Sequence, residues 1–525
     1  MASDTLKGGH QTSQTSQNEN CWRPSPRGCR RAGETIDCAR NVREPARTTL
    51  GPGAPRPGAK NHDFPPLKAS LNRLRLWAGV DRAIFYTLLN RGWYVFTGPL
   101  SIYLIARCLT REEQGYYFTF SSILGLQMVF ELGLGFVIIQ YASHEKAHLE
   151  WTAAGTLEGD PEAKARLASL FRFGIKCYCA VAVVGGCVLV PAGLAFFGKS
   201  QPDGLEVVWR TPWLLVVGIT CFNLTLTPIY SLLEGCGKVA EFAKRGAWMS
   251  IIGNAFFWLV LLAHGKLFAA PTQAAVFAVI GTFWVFGKYG RCFKDLLATT
   301  IPPGKGLNWR KEILPFQWKI ALSAFSGYFI FQLANPILFR CRGPAEAGRF
   351  GMSTRIMDIL LNLAYSWVST KSAPFGTYIA RKDYATLDSV FRKASRQAIG
   401  VLLLGSVAFL VVYFALRMTG ASLAARFLDP LAIWFLLGNA LVNCIVFCQA
   451  IYLRAHKQEP FLYNTVAAAV LVPLVIYFLG RPYGGLGVAA GLFSLNLLIG
   501  LPWATCIFLR KRIQWHSNGS IASTF

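Results

Sequence analysis

ARCLTREEQGYYF, residues 106–118, is echoed further along the chain by FRCRGPAEAGRFG, residues 339–351, at an offset of 233. Arg107, Cys108, Glu113 and Gly115 of the first stretch recur as Arg340, Cys341, Glu346 and Gly348. Each stretch connects two apolar runs. A second echo follows in the next connection: ARLASLFR (165–172) matches ATLDSVFR (385–392) at Ala, Leu, Ser, Phe and Arg, now with an offset of 220. The first copy is therefore the longer between the two matches, a difference placed in the polar stretch GTLEGDP, 155–161. Two matches in the same order and in equivalent connections identify a duplicated unit.

Composition says what that unit is made of. The chain has 525 residues, of which 53% are hydrophobic and only 15% charged. The apolar residues gather in runs of about twenty, the length that carries a helix across the hydrocarbon of a bilayer. Twelve such spans are read at 83–106, 116–140, 173–197, 211–233, 247–263, 268–288, 313–338, 350–376, 397–416, 431–453, 461–479 and 484–509. The fold class expected is an all-α polytopic membrane protein with about twelve transmembrane helices. Each repeat holds six of them, an even number, so both copies keep one orientation. They form two six-helix lobes related by a pseudo-two-fold axis along the membrane normal, with a cavity between them.

The formal charge of +26 is explained by topology. Outside the spans and the N-terminal stretch 1–65, 37 Lys and Arg remain, and they divide 26 to 11 between the two sides when the N-terminus is placed in the cytoplasm. That is the asymmetry by which positive loops stay inside, so both termini are expected to be cytoplasmic. No basic–aromatic nucleic-acid module is present, and no nucleic-acid partner is expected. The fourteen cysteines show no zinc spacing, and neither a metal nor a cofactor is expected.

The organisation follows. Residues 1–65 read as a disordered tail or a misassigned start, 66–288 as the N-terminal six-helix lobe and 289–312 as the cytoplasmic inter-lobe loop. Residues 313–509 read as the C-terminal six-helix lobe and 510–525 as a cytoplasmic tail. In the elbows, Gly115 and Gly348 are expected to let the chain turn closely into the next helix, while Glu113 and Glu346 sit near its N-terminus, where negative charge is favourable.

Eight charged residues fall inside the spans. Lys176 and Lys288 lie at cytoplasmic ends, from which they can snorkel. The other six, Arg91, Glu131, Lys319, Arg355, Asp358 and Lys371, occupy only the first two helices of each repeat. A charge near the bilayer centre costs roughly 3 kcal/mol or more, which favours a water-filled cavity or a charged partner around it. Arg355, Asp358, Asn362, Ser366 and Ser369 follow spacings of 3, 4, 4 and 3, one polar stripe along a helix, and Gln127 and Glu131 lie one turn apart in the same way. Arg91, Lys319, Arg355, Lys371, Gln127 and Asn362 are thus candidate substrate-binding residues. A guanidinium offers a fork of donors and lysines act as point charges, which suits a phosphate or diphosphate. Glu131 and Asp358 are candidates for coupling to an ion gradient. Structural pairing, Arg91 with Glu131 or Arg355 with Asp358, is the competing reading. No catalytic set is apparent.

The tract LIARCLTREEQGYYFTFSSILGLQMVFELGLGFVIIQYASHE, 104–145, resembles the first loop and second helix of Wzx-type oligosaccharide flippases. These form the polysaccharide-transport branch of the multidrug/oligosaccharidyl-lipid/polysaccharide exporter superfamily. The resemblance extends over roughly 80–510. It implies alternating access and an undecaprenyl-diphosphate-type lipid-linked oligosaccharide moved from the cytoplasmic to the outer leaflet of the bacterial inner membrane, for O-antigen, exopolysaccharide or capsule assembly. It further implies contact with membrane lipids and with polymerase and chain-length machinery. A drug or cation exporter of the same superfamily is the alternative, disfavoured because four of the six central charges are basic. An integral-membrane glycosyltransferase or polymerase is the other, disfavoured by short outer loops, so no enzyme activity is expected.

Overall fold

The computed structural model describes residues 82–199, 207–303, 306–456 and 460–521, so the tail 1–65 lies outside the described residues. Among the described residues, eight helices are long and apolar enough to cross a membrane, and nine if the bent pair Arg111–Glu131 and Leu134–Lys146, meeting at 44°, counts as one span. Two more long helices fall short only in hydropathy, because polar residues interrupt them. They are α1 (Arg82–Cys108) and the helix Pro344–Ser369, which carries Arg355, Asp358 and Asn362. The last apolar segment, Leu462–His516, turns back on itself. Gly484 takes φ 61°, and beyond it a Cβ on Gly491 would meet Val475 Cγ1 at 2.5 Å and Leu479 Cδ1 at 2.7 Å. A straight helix would separate positions 475 and 491 by about 24 Å, so the segment is a hairpin of two helices. With that division the helices match the twelve expected spans. The protein is an all-α polytopic membrane protein.

The first repeat contains α1, α2 (Arg111–Leu124), the short α3 (Gln127–Glu131), α4 (Leu134–Lys146), α5 (Pro161–Gly198), α6 (Arg210–Gly235), α7 (Val239–Leu262) and α8 (Ala269–Ala298). The second contains α9 (Leu314–Phe331), α10 (Ala334–Arg342), α11 (Pro344–Ser369), α12 (Ser372–Ala380), α13 (Tyr384–Met418), α14 (Pro430–Ala455), α15 (Leu462–Leu495) and α16 (Leu501–Ile521). The third span of each repeat is entered through an aspartate cap. Asp160 accepts from the amides of Glu162 and Ala163, and Asp383 from that of Thr386. These caps start α5 and α13 well before their apolar runs, since a capped N-terminus satisfies donors that apolar periodicity does not register.

The most extensive helix–helix contact in the molecule joins α2 to α11, the two helices that follow the repeated elbows. Here the expectation for the glycines is corrected. Neither Gly115 nor Gly348 takes a positive φ. Both lie inside helices at a crossing too close for a side chain. A Cβ on Gly115 would sit 1.9 Å from the Pro344 carbonyl oxygen, and one on Gly348 would sit 2.8 Å from Gly115 N. Small residues that let two backbones approach are the usual currency of helix packing within membranes. Gln114 Nε2 donates to the Gly348 carbonyl at 2.8 Å, and beside it Tyr116 packs edge-on to Phe339 with centroids 4.9 Å apart.

The elbows are also shorter than expected. Thr110 and Glu113 form a reciprocal capping box, with Glu113 N donating to Thr110 Oγ1 at 3.1 Å and Thr110 N to Glu113 Oε2 at 2.9 Å. The helix therefore begins at Arg111, and only Leu109 and Thr110 connect it to α1. In the second copy Gly343, with φ 89°, makes the turn and Pro344 opens the helix. Each repeated glutamate then reaches the last hairpin of its own repeat. Glu113 pairs with Lys266 Nζ at 3.2 Å, and Glu346 Oε1 accepts from Gly485 N at 2.8 Å.

Three further differences concern connections. The extra length of the first copy contains an antiparallel ribbon, β1 (Leu149–Trp151) with β2 (Leu157–Gly159). α8 continues to Ala298 and a π-helical turn occupies Trp309–Ile313, so much of the stretch 289–312 is helical. α16 carries on through 510–521, where a tail was expected. The π turn is tied to the first repeat: Arg166 pairs with Glu145 and with Glu312, both at 2.8 Å, and Tyr141 Oη donates to the Glu312 carbonyl at 2.7 Å.

Candidate functional site

One turn beyond the glycine crossing, α2 and α11 begin to line a cavity of about 640 Å³. Ser121 and Ser122 of α2 face Thr354, Arg355 and Asp358 of α11 across it, and α9, α10, α14 and the turn after α15 complete the wall. The wall is thus drawn mostly from the second repeat, with α2 supplying the contribution of the first.

Arg355 and Asp358 are both unpaired among the described residues. No carboxylate approaches Arg355 within 4 Å, and its guanidinium stands 5.4 Å from the ring centroid of Tyr94 on α1. The Asp358 side chain, one turn further, accepts no hydrogen bond from a described residue. The rest of the stripe is satisfied by its own helix. Asn362 Nδ2 donates to the Asp358 carbonyl at 2.8 Å, Ser366 Oγ to the Asn362 carbonyl at 2.9 Å and Ser369 Oγ to the Ser366 carbonyl at 3.3 Å. Short polar side chains in a membrane helix commonly return to their own backbone in this way. Arg355 and Asp358 both line the cavity and are not joined by a salt bridge. The paired reading of these two is not the arrangement found.

The remaining candidates are distributed elsewhere. Asn362 lines the cavity with Arg355 and Asp358. Arg91 on α1 and Lys319 on α9 have side chains that lie outside the described residues. Lys371 does not line the cavity; it is exposed at the junction of α11 and α12, where the helix has already ended. Gln127 and Glu131 are also absent from the lining, because the second span is broken immediately after them. Leu132 (φ 50°) and Gly133 (φ 68°) are both left-handed, and a Cβ on Gly133 would meet Ile320 Cγ2 of α9 at 2.2 Å. The break turns Gln127 and Glu131 onto the short α3. Of the two lysines expected to snorkel, Lys288 pairs with Glu241, which also accepts from Tyr289 Oη at 2.6 Å.

A charge count passes over much of what does line the cavity. Asn335, Asn439, Asn443, Asn496, Gln332 and Arg454 all belong to the wall. Asn496 opens a π-helical turn, Asn496–Gly500, and its Nδ2 donates to Asn439 Oδ1 at 2.8 Å. Asn335 Nδ2 donates to Ser122 Oγ at 3.3 Å, while its Oδ1 is buried without a partner. One signal was available in the sequence. LLGNALVNC, 436–444, sets two amides one helical turn apart on one face of an otherwise apolar span. Among the described residues no group of three or more His, Cys, Asp or Glu side chains could hold a metal ion.

Neither a protein-family model nor a curated protein matches the sequence. Solved structures do match. The lipid II flippase MurJ in an inward closed conformation aligns with a TM-score of 0.57 at 13% identity, covering 83% of this chain and 91% of that one. An inward-facing multidrug resistance MATE family transporter of the MOP superfamily aligns with a TM-score of 0.54 at 15% identity, over 81% and 95% of the two chains. This chain has the fold of the MOP-superfamily transporters. A third such transporter, from Pyrococcus furiosus, aligns with a TM-score of 0.52 at 13% identity over 83% and 94%, and is described as having a binding pocket of reversed polarity. Within its MOP fold, the present chain combines the Arg355 guanidinium and the Asp358 carboxylate, not joined by a salt bridge, with a wall of neutral amides. Such a cavity can hold an anionic group against Arg355 and offer hydrogen bonds to uncharged polar groups beside it.

Proposed function

We propose that the protein is a flippase that moves a lipid-diphosphate-linked oligosaccharide, carried on an undecaprenyl-type lipid, from the cytoplasmic to the outer leaflet for surface polysaccharide assembly. Two six-helix lobes alternate access to the cavity between them, in a bacterial inner membrane, with both termini cytoplasmic as the 26-to-11 charge asymmetry favours. The observation that carries this reading is Arg355, a guanidinium at membrane depth with no carboxylate within 4 Å among the described residues, set in a cavity of about 640 Å³. A charge there without a salt bridge is unfavourable by roughly 3 kcal/mol or more, a cost that water and an anionic cargo help to offset. Arg91 and Lys319, on the first helix of each repeat, are assigned as further cations for the diphosphate. Glu131 and Asp358 are assigned to coupling. The fold neighbours support a transporter, and a lipid II flippase among them is compatible with a lipid-linked cargo.

Asp358 favours one second reading, a cation exporter, in which the carboxylate holds the cargo and Arg355 modulates it. Deletion of the gene separates the two. Accumulation of a lipid-diphosphate-linked oligosaccharide in the cytoplasmic leaflet, identified by mass spectrometry, supports the flippase. Unchanged lipid-linked intermediates with increased sensitivity to cationic drugs overturn it in favour of the exporter.

A further inference from the structure

Five asparagines from four elements converge on the cavity: Asn335 of α10, Asn362 of α11, Asn439 and Asn443 of α14, and Asn496 at the π-helical turn. Amides in the middle of a membrane are unfavourable unless they are hydrogen-bonded, and a structural cluster would satisfy its own groups. This one does so in part. The Asn496–Asn439 bond uses one donor and one acceptor, which leaves the Asn439 Nδ2 hydrogens and the Asn496 Oδ1 available. Asn443, one turn along the same face of α14, makes no side-chain hydrogen bond to any described residue. Asn335 Oδ1 is buried and unpartnered. The wall beside them is aromatic, with Tyr365 and Phe447 edge-on at 6.0 Å between centroids. The helix departs from α geometry at Asn496, and π-helical turns of this kind concentrate at functional sites.

Charged groups hold phosphates, but a neutral wall that both donates and accepts matches a different chemistry. A sugar hydroxyl donates one hydrogen bond and accepts others, an acetamido group does the same, and the C–H faces of a pyranose pack against aromatic rings. We infer that the amide-lined face of the cavity is the subsite that reads the sugars next to the diphosphate, with Asn443 and the Asn439–Asn496 pair as specificity-determining residues. The inference rests on the flippase reading above and goes beyond it in separating sugar recognition from diphosphate recognition.

The test measures binding to the full-length protein in nanodiscs. Three probes are compared: undecaprenyl diphosphate, undecaprenyl-diphosphate-N-acetylglucosamine and undecaprenyl-diphosphate-galactose. The wild type binds at least one sugar-bearing lipid about tenfold more tightly than the bare diphosphate, because polar groups built to pair with a sugar are left unpaired without it. Asn443→Leu and Asn439→Leu remove that increment and leave the affinity for undecaprenyl diphosphate unchanged, which also shows that the variants are folded. Arg355→Ala weakens all three lipids by a similar factor and preserves the increment. Equal wild-type affinity for all three lipids, or an increment that survives both asparagine variants, overturns the subsite. Failure of the wild type to bind any of the three overturns the flippase reading, and the subsite with it.

Discussion

Gly348 lies so close to Gly115 that a Cβ added to it would stand 2.8 Å from the Gly115 amide nitrogen. The two are equivalent positions of a motif written twice, and they meet at the crossing of α2 with α11. Because the obstacles are backbone atoms, no rotamer change can relieve a substitution. We expect Gly115→Ala and Gly348→Ala each to destabilise the protein by roughly 1–3 kcal/mol through overpacking. Gly115→Ala should be the worse, since its Cβ would sit 1.9 Å from the Pro344 carbonyl oxygen. Gly400→Ala, where nothing lies within 4 Å, is the control and should be neutral or stabilising. Thermal unfolding in detergent micelles measures all three.

The repeated glutamates tie each elbow to the last hairpin of its own repeat. Replacing Glu346 with alanine leaves Gly485 N–H without its acceptor beside the positive-φ turn at Gly484, and should lower stability by about 1–2 kcal/mol. Glu113→Ala removes the Thr110 N–H bond of the capping box and the Lys266 pair. It should cost a similar amount, with most of the loss from the cap because Lys266 is largely exposed. Equal stability of both variants and wild type in the same unfolding assay would contradict these roles.

Position relative to the cavity divides the cationic candidates. Arg355→Ala should reduce export of surface polysaccharide at least tenfold while membrane insertion is retained. Arg91→Ala and Lys319→Ala, at the further cations proposed for the diphosphate, should also reduce it. Lys371→Ala, outside the cavity wall, should leave export within about twofold of wild type. Asp358→Asn and Glu131→Gln test coupling: export that persists in both with unchanged pH dependence rules it out. Immunoblotting of surface polysaccharide, with protein level as the control, reads every variant.

Acid should loosen the tie between the π turn and the first repeat. The Asn308 amide donates to the Glu312 carboxylate, and this, with the Arg166 pair and against partial burial, holds its pKa below the usual 4.5. A carboxylate depressed on folding contributes stability that is fully present above its unfolded value and is lost as pH falls through its lower folded value. Wild-type protein should therefore lose more thermal stability between pH 5 and pH 3 than Glu312→Gln, and the variant should be the less stable of the two at pH 7. Parallel pH profiles for the two proteins would remove this role for Glu312.

The sequence was most legible where one physical signal dominates. Apolar runs located every span because hydrocarbon thickness fixes their length, and the Leu462–His516 segment could be divided because Gly484 and Pro482 interrupt an apolar pattern. The cavity was half legible. Arg355 and Asp358 stand out as charges in apolar helices, whereas Asn439, Asn443 and Asn496 carry no charge and a charge count does not register them. Lys371 and Glu131 have the same composition signal as Arg355, yet the end of α11 and the left-handed break at Leu132–Gly133 turn them elsewhere. Backbone breaks of that kind depend on packing against Ile320, which belongs to the other repeat, and no local pattern announces them. The elbow motif showed that something was duplicated and concealed why its glycines were kept, because the reason is contact between the copies.

That contact has the form of an interface between identical molecules. In a two-fold dimer a residue near the axis meets its own counterpart, and every off-axis bond appears twice. Gly115 facing Gly348 satisfies the first condition. The second has lapsed: Gln114 donates to the Gly348 carbonyl, but its counterpart Ala347 has no amide to return the bond to Gly115. A six-helix ancestor pairing with itself through this glycine would have had to accept each substitution on both sides at once. Joined in one chain, the two copies can drift apart while still touching, and each is free to take substitutions that the other does not share.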